Sequence, residues 1–86
     1  MPTVSRFFGI VIAMFFDDHE PPHFHARHAD GRARIRIDTL EFMDSTLARR
    51  QERLVLAWAE LHQAELAENW RRARARGTLT SIEPLR

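Results

Sequence analysis

Two stretches of this chain alternate apolar and polar residues in step, on either side of an Asp-Gly pair. They are His23-Phe24-His25-Ala26-Arg27-His28 and Arg32-Ala33-Arg34-Ile35-Arg36-Ile37, separated by Ala29-Asp30-Gly31. Strand side chains point alternately to opposite faces, and Asp-Gly is a strong two-residue hairpin signal. With Asp30 and Gly31 in the turn, counting predicts the register. His28 faces Ala33, Arg27 faces Arg34, Ala26 faces Ile35, His25 faces Arg36, Phe24 faces Ile37, and His23 faces Asp38. One face then carries Phe24, Ala26, His28, Ala33, Ile35 and Ile37. The other carries His23, His25, Arg27, Arg32, Arg34, Arg36 and Asp38. The two strands agree on which face is apolar, and a slip by one residue would mix the faces. The chain therefore holds an antiparallel hairpin with one core face and one polar face.

The flanking segments supply the rest of an α+β domain. Residues 7–16 are aromatic and β-branched and apolar on both faces, which predicts a central strand with Gly9 at a bulge or close approach. Pro21-Pro22 forces an extended stretch. A short strand over Leu40 to Asp44 follows a turn near Asp38-Thr39. Ser45 or Thr46 is placed to cap the next helix. Leu47, Leu54, Trp58 and Leu61 lie on one helical stripe, whereas Leu66, Trp70 and Ala73 lie on a stripe rotated by about 120°. One straight helix would bury two faces, so the chain is predicted to break near His62-Gln63 into helices of about 46–62 and 63–76. Gly77 is a natural stop. The tail from Thr78 to Leu85 alternates enough to add an edge strand or lie over the core. The expectation is a small, mainly antiparallel sheet of about three or four strands, with a possible extra C-terminal strand, packed on one or two C-terminal helices.

Length makes this one domain spanning residues 1–86. A chain this short buries only roughly 60–65% of its unfolded surface, so a metal or a second copy would add useful stability. It has no cysteine, which excludes disulfides and fits a cytoplasmic location. The apolar run Phe7–Phe16 is too short to span a bilayer and is followed at once by Asp17-Asp18, so it reads as strand and not as anchor or export signal. All 13 basic residues are arginine, although net charge is only +1. Arginine suits planar contacts to phosphate or carboxylate, and a near-neutral total leaves local patches to do such work.

Chemistry concentrates in Asp17-Asp18-His19-Glu20-Pro21-Pro22-His23-Phe24-His25-Ala26-Arg27-His28, which holds four of the five histidines. Histidine titrates near neutral pH and is the commonest metal ligand. His23 and His25, two apart on a strand, project from one face. Asp38, opposite His23 in the counted register, is a candidate third ligand, and His19, Asp17 or Asp18 could add another from the loop. Two histidines and a carboxylate with an open position suit catalytic zinc or non-haem iron. A metal-free acid–base site on His23, His25 and Asp38 is a second possibility. A third is binding without chemistry, with Arg27, Arg34 and Arg36 as the contact residues for RNA, DNA or an acidic protein.

The string Asp17-Asp18-His19-Glu20-Pro21-Pro22-His23-Phe24-His25-Ala26 resembles the signature of the bacterial domain-of-unknown-function family 4160. So do the opening Met1–Ile12, the helix from Arg49 to His62, Glu68-Asn69-Trp70 and the ending Ile82-Glu83-Pro84-Leu85. The resemblance spans nearly the whole chain. It carries over no established activity. It implies a component of small bacterial operons of toxin–antitoxin type, hence a protein partner or homo-oligomer and a possible nucleic-acid partner, with no membrane. The leading expectation is therefore a cytoplasmic interaction module using the His/Arg sheet face. The alternative is a small hydrolase or ribonuclease on His23, His25 and Asp38, with or without a divalent metal.

Overall fold

A computed structural model describes residues 2–86, so Met1 lies outside it. The fold is α+β. Five antiparallel strands, β1 (Thr3–Phe7), β2 (Ile10–Ala13), β3 (His23–His28), β4 (Gly31–Arg36) and β5 (Phe42–Ser45), form one sheet in chain order. Two helices follow, α1 (Arg49–Leu61) and α2 (Gln63–Arg74).

The extra strand comes from the apolar run. Residues 7–16 are not one central strand. Phe8 and Gly9 both take positive φ, +49° and +78°, and turn the chain between β1 and β2. That is the dihedral requirement of a type I′ hairpin turn. Phe8 at the first turn position hides the signal, because non-glycine residues seldom adopt positive φ.

The β3–β4 hairpin keeps the predicted faces but not the predicted pairings. His23 pairs with Arg36, Phe24 with Ile35, His25 with Arg34, Ala26 with Ala33, Arg27 with Arg32, and His28 with Gly31. The turn residues are Ala29 and Asp30, with Ala29 at φ +52°. This is a two-residue shift, which preserves the face of every side chain. Gly31 serves a different purpose from a turn glycine. A Cβ there would sit 2.9 Å from the Thr46 carbonyl oxygen and 3.3 Å from Leu47. The position must therefore admit the chain leaving β5.

The apolar face of the sheet meets α1. Val55, Trp58 and Ala59 are its buried residues, spaced as one helical face. Trp58 packs on Phe7 and Phe24 with ring centroids 5.3 and 5.9 Å away. Its indole N–H donates to the Glu83 carbonyl at 2.8 Å, tying down the tail. Leu61, expected on this stripe, is 70% exposed, because α1 ends there. Ser45 and Thr46 do not cap α1. The Ser45 hydroxyl accepts from the Leu47 amide, and the Thr46 hydroxyl accepts from the Arg32 amide. The helix break falls at His62, as the two stripes required.

Helix α2 reaches the connections at the end of the sheet where β3 begins. Gln63 donates to the carbonyls of Ile37 and Asp38. Trp70 packs against His23, with ring centroids 5.4 Å apart. Arg74 bonds Glu20 at 2.6 Å, and Arg76 bonds Asp17. The C-terminal residues form no strand. Ile82 donates one backbone bond to Val4 and is buried. The side chain of Asn69, itself buried, exchanges two hydrogen bonds with the backbone of Thr80.

Candidate functional site

β3 presents His23 and His25 on the polar face, and the β2–β3 connection lays Asp18 against both. The Asp18 carboxylate oxygen Oδ2 lies 3.1 Å from His23 Nε2 and 2.9 Å from His25 Nε2. Among the described residues this is the group of acidic and imidazole side chains that could hold a metal ion. The expected third ligand, Asp38, is elsewhere. Pairing of His23 with Arg36 carries Asp38 past the end of β4, where it is exposed and forms two hydrogen bonds with Arg36, at 2.9 and 2.7 Å. That contact and the Thr39 amide hold its carboxyl well down, at about 2. His19 contributes its backbone instead of its ring: its amide donates to Asp18 Oδ1 at 2.9 Å.

The orientation of each donor is set. His23 Nδ1–H donates to the Pro21 carbonyl at 2.7 Å, which aims Nε2 inward. A backbone carbonyl on the far ring nitrogen is the usual way a ligating histidine is oriented. The His23 side chain is 2% exposed, sealed by Trp70. Its Nε2 is buried and has no hydrogen-bond partner, although Asp18 is close. Asp18 in turn has Oδ1 occupied by the His19 amide and Oδ2 turned to the two imidazoles. Phe15 stands edge-on to His25, with ring centroids 4.4 Å apart.

Protonation favours metal. Burial pushes His25 below its ordinary value, further than the Asp18 bond restores it, and His23 and Arg34 add to the lowering. Burial raises the Asp18 carboxyl, but the His25 bond, the His19 amide and the two imidazole charges outweigh it and leave the group lowered. A neutral imidazole and an ionised carboxylate are the ligating forms. The distances agree as well. The three donor atoms all lie within 4.8 Å of one another, close enough to share one ion. Two imidazoles and one carboxylate on one side of an ion leave its other positions open.

An open groove of about 370 Å³ runs from this cluster along the sheet. His25, Arg27, Arg32, Arg34 and Asp44 line it, with Val11 and Ala13 as a small-residue floor and Phe15 at one end. Of the arginines expected to bind, Arg27 and Arg34 line the groove, and Arg36 is turned to Asp38. Arg34 is held by Asp44 through Nε at 2.9 Å and Nη2 at 2.5 Å. Arg32 was not singled out from sequence. Its signal is its position directly opposite Arg27, which the shifted register reveals.

One family of known proteins matches this chain. The profile described as "Domain of unknown function (DUF4160)" matches residues 9–71, which include all three ligand candidates. The chain belongs to the DUF4160 family. No curated protein and no solved structure matches it. The arginines and the Asp18–His23–His25 group of this DUF4160 domain carry its candidate chemistry. No helix among the described residues is long and apolar enough to cross a membrane.

Proposed function

We propose that this DUF4160 protein is a small metal-dependent hydrolase in which Asp18, His23 and His25 hold one divalent transition ion, zinc or iron by ligand type. The observation that carries the reading is His23: a buried imidazole fixed through Nδ1, with Nε2 aimed at Asp18 and lacking a hydrogen bond. An ion held there would supply the missing partner. Three protein ligands leave room for water, whose proton a divalent ion makes easier to remove. Held by Asp18, His23 and His25, such an ion would supply a hydroxide able to displace the leaving oxygen of a substrate ester. Cations beside a divalent ion are unfavourable unless an anion joins them, so the neighbouring arginines favour an anionic substrate.

The test uses protein purified without a nickel column and exposed to zinc, iron(II) or manganese(II). One ion per chain is expected by elemental analysis, with loss in Asp18→Ala and His25→Ala and retention in Asp38→Asn. Hydrolysis of bis(4-nitrophenyl) phosphate is expected with metal and not with chelator. Less than a tenth of an ion per folded wild-type chain overturns the metal centre. Cleavage that survives chelator but is lost in His25→Ala selects metal-free acid–base chemistry instead.

A second reading is favoured by the uncovered polar sheet face. In it the chain is a cytoplasmic module of bacterial toxin–antitoxin type that binds a partner protein, a second copy or nucleic acid. Arg34→Glu with Arg36→Glu is then expected to abolish partner capture from the native host in protein that circular dichroism shows to be folded.

A further inference from the structure

The three outward arginines of β4 are treated differently by the fold. Arg34 has Asp44 and Arg36 has Asp38. The Arg32 guanidinium has no hydrogen-bonding or ionic partner among the described residues. It also sits directly across the strand pair from Arg27. Both side chains line the groove that leads from the Asp18–His23–His25 group, so an anion lying there meets cations from two neighbouring strands. A planar guanidinium fork matches the oxygens of a phosphate.

Position then identifies the anion. Arg27 is two residues beyond His25 on β3, an advance of about 6.8 Å on the same face. That is about one nucleotide repeat of an extended strand. The groove between the two points is floored by Val11 and Ala13 and ended by Phe15, and so offers an apolar surface for a base. We infer that Arg27 and Arg32 clamp one phosphate of a single-stranded nucleic acid laid along β3 and β4, with the adjacent phosphodiester at the Asp18–His23–His25 centre. The clamp itself acts without metal. The placing of the scissile bond rests on the hydrolase reading above.

The test is fluorescence anisotropy of a labelled ten-nucleotide oligouridine with the full chain in EDTA, from 50 to 200 mM KCl. Binding is expected to weaken with salt. Arg32→Ala is expected to lose about tenfold in affinity and to reduce the salt slope by about 0.7, the value for one phosphate contact on a single strand. Arg32→Lys keeps the charge and is expected to retain most of the binding, and Arg53→Ala on the far helix is expected to match wild type. Circular dichroism confirms that each variant is folded. Arg27→Ala/Arg32→Ala binding like wild type overturns the clamp. So does displacement of the probe by uridine monophosphate or by polyglutamate at the molar concentration that suffices for the unlabelled oligomer. Metal content measured on the same samples separates the two claims. One ion per chain without oligouridine binding removes the clamp and leaves the centre. Arg32-dependent binding without any metal does the reverse.

Discussion

Asp18→Asn should stabilise the metal-free protein while destroying its metal site. With Nδ1–H given to the Pro21 carbonyl, the neutral His23 ring presents a lone pair at Nε2, buried and facing a carboxylate oxygen. An unsatisfied buried polar group costs about 1–3 kcal/mol. Asparagine has the same shape. Its Oδ1 still accepts from the His19 amide, and its two Nδ2 hydrogens replace Oδ2 and point at the imidazoles of His23 and His25. The half-exposed His25 accepts by changing tautomer. The expected gain is about 1–2 kcal/mol, a rise in melting temperature of about 5–15 °C for a domain of this size. Thermal melts in EDTA measure it directly. Wild-type protein at an ion concentration 100 times Kd should gain about 2.7 kcal/mol over its chelated state, and Asp18→Asn should gain nothing. The reasoning fails if chelated Asp18→Asn loses about 3 kcal/mol or more. Asp18 would then be half of a buried ion pair, whose breaking costs that much. An undiminished metal-induced shift in the variant would refute it equally.

Other expectations follow from single contacts. Asn69→Ala removes both hydrogen bonds to Thr80 and releases the C-terminal tail, and should cost about 2–3 kcal/mol in urea unfolding with metal stoichiometry unchanged. Gly31→Ala should destabilise by about 1–3 kcal/mol through overpacking against Thr46 and Leu47, and Gly31→Val by more. Asp38 is held at about 2 by Arg36. A carboxyl lowered on folding contributes stability above its unfolded value that is lost as pH falls through the folded one, so its NMR titration midpoint should lie near 2 and return toward the ordinary range in Arg36→Ala. Trp58→Ala should cost about 3–5 kcal/mol, since the ring is fully buried against Phe7 and Phe24.

Much of the architecture was legible because it rests on periodicity. The alternation in Phe24–Ile37 separates core from polar face, and the rotated stripes on either side of His62 require the helix break. What stayed hidden were choices between local chemistries of similar appearance. The Asp30-Gly31 pair looks like a turn, but Gly31 is spent on close approach to Thr46, so the turn moves back to Ala29-Asp30. Phe8-Gly9 does not look like a turn, yet both residues take positive φ. The arginines of the last turn of α2 read as complements to the helix dipole, yet Arg74 also reaches Glu20, and Arg76 just beyond the helix reaches Asp17, so both brace the connection that carries Asp18.

The two-histidine face belongs to the linear pattern. His23 and His25 share a side of a strand wherever that strand is placed, because the period of two is a property of the backbone. The third ligand does not belong to it. A two-residue shift in pairing leaves every face intact while moving each cross-strand neighbour by two positions, so periodicity could not choose between Asp38 and the loop carboxylates. Tertiary packing made that choice. Close approach at Gly31 set the register, Arg36 took Asp38, and α2 pressed Trp70 onto His23 and held the Asp17–Glu20 connection by its arginines. Asp18 then meets both imidazoles, and the Arg32 guanidinium, opposite Arg27, has no side-chain partner of its own among the described residues.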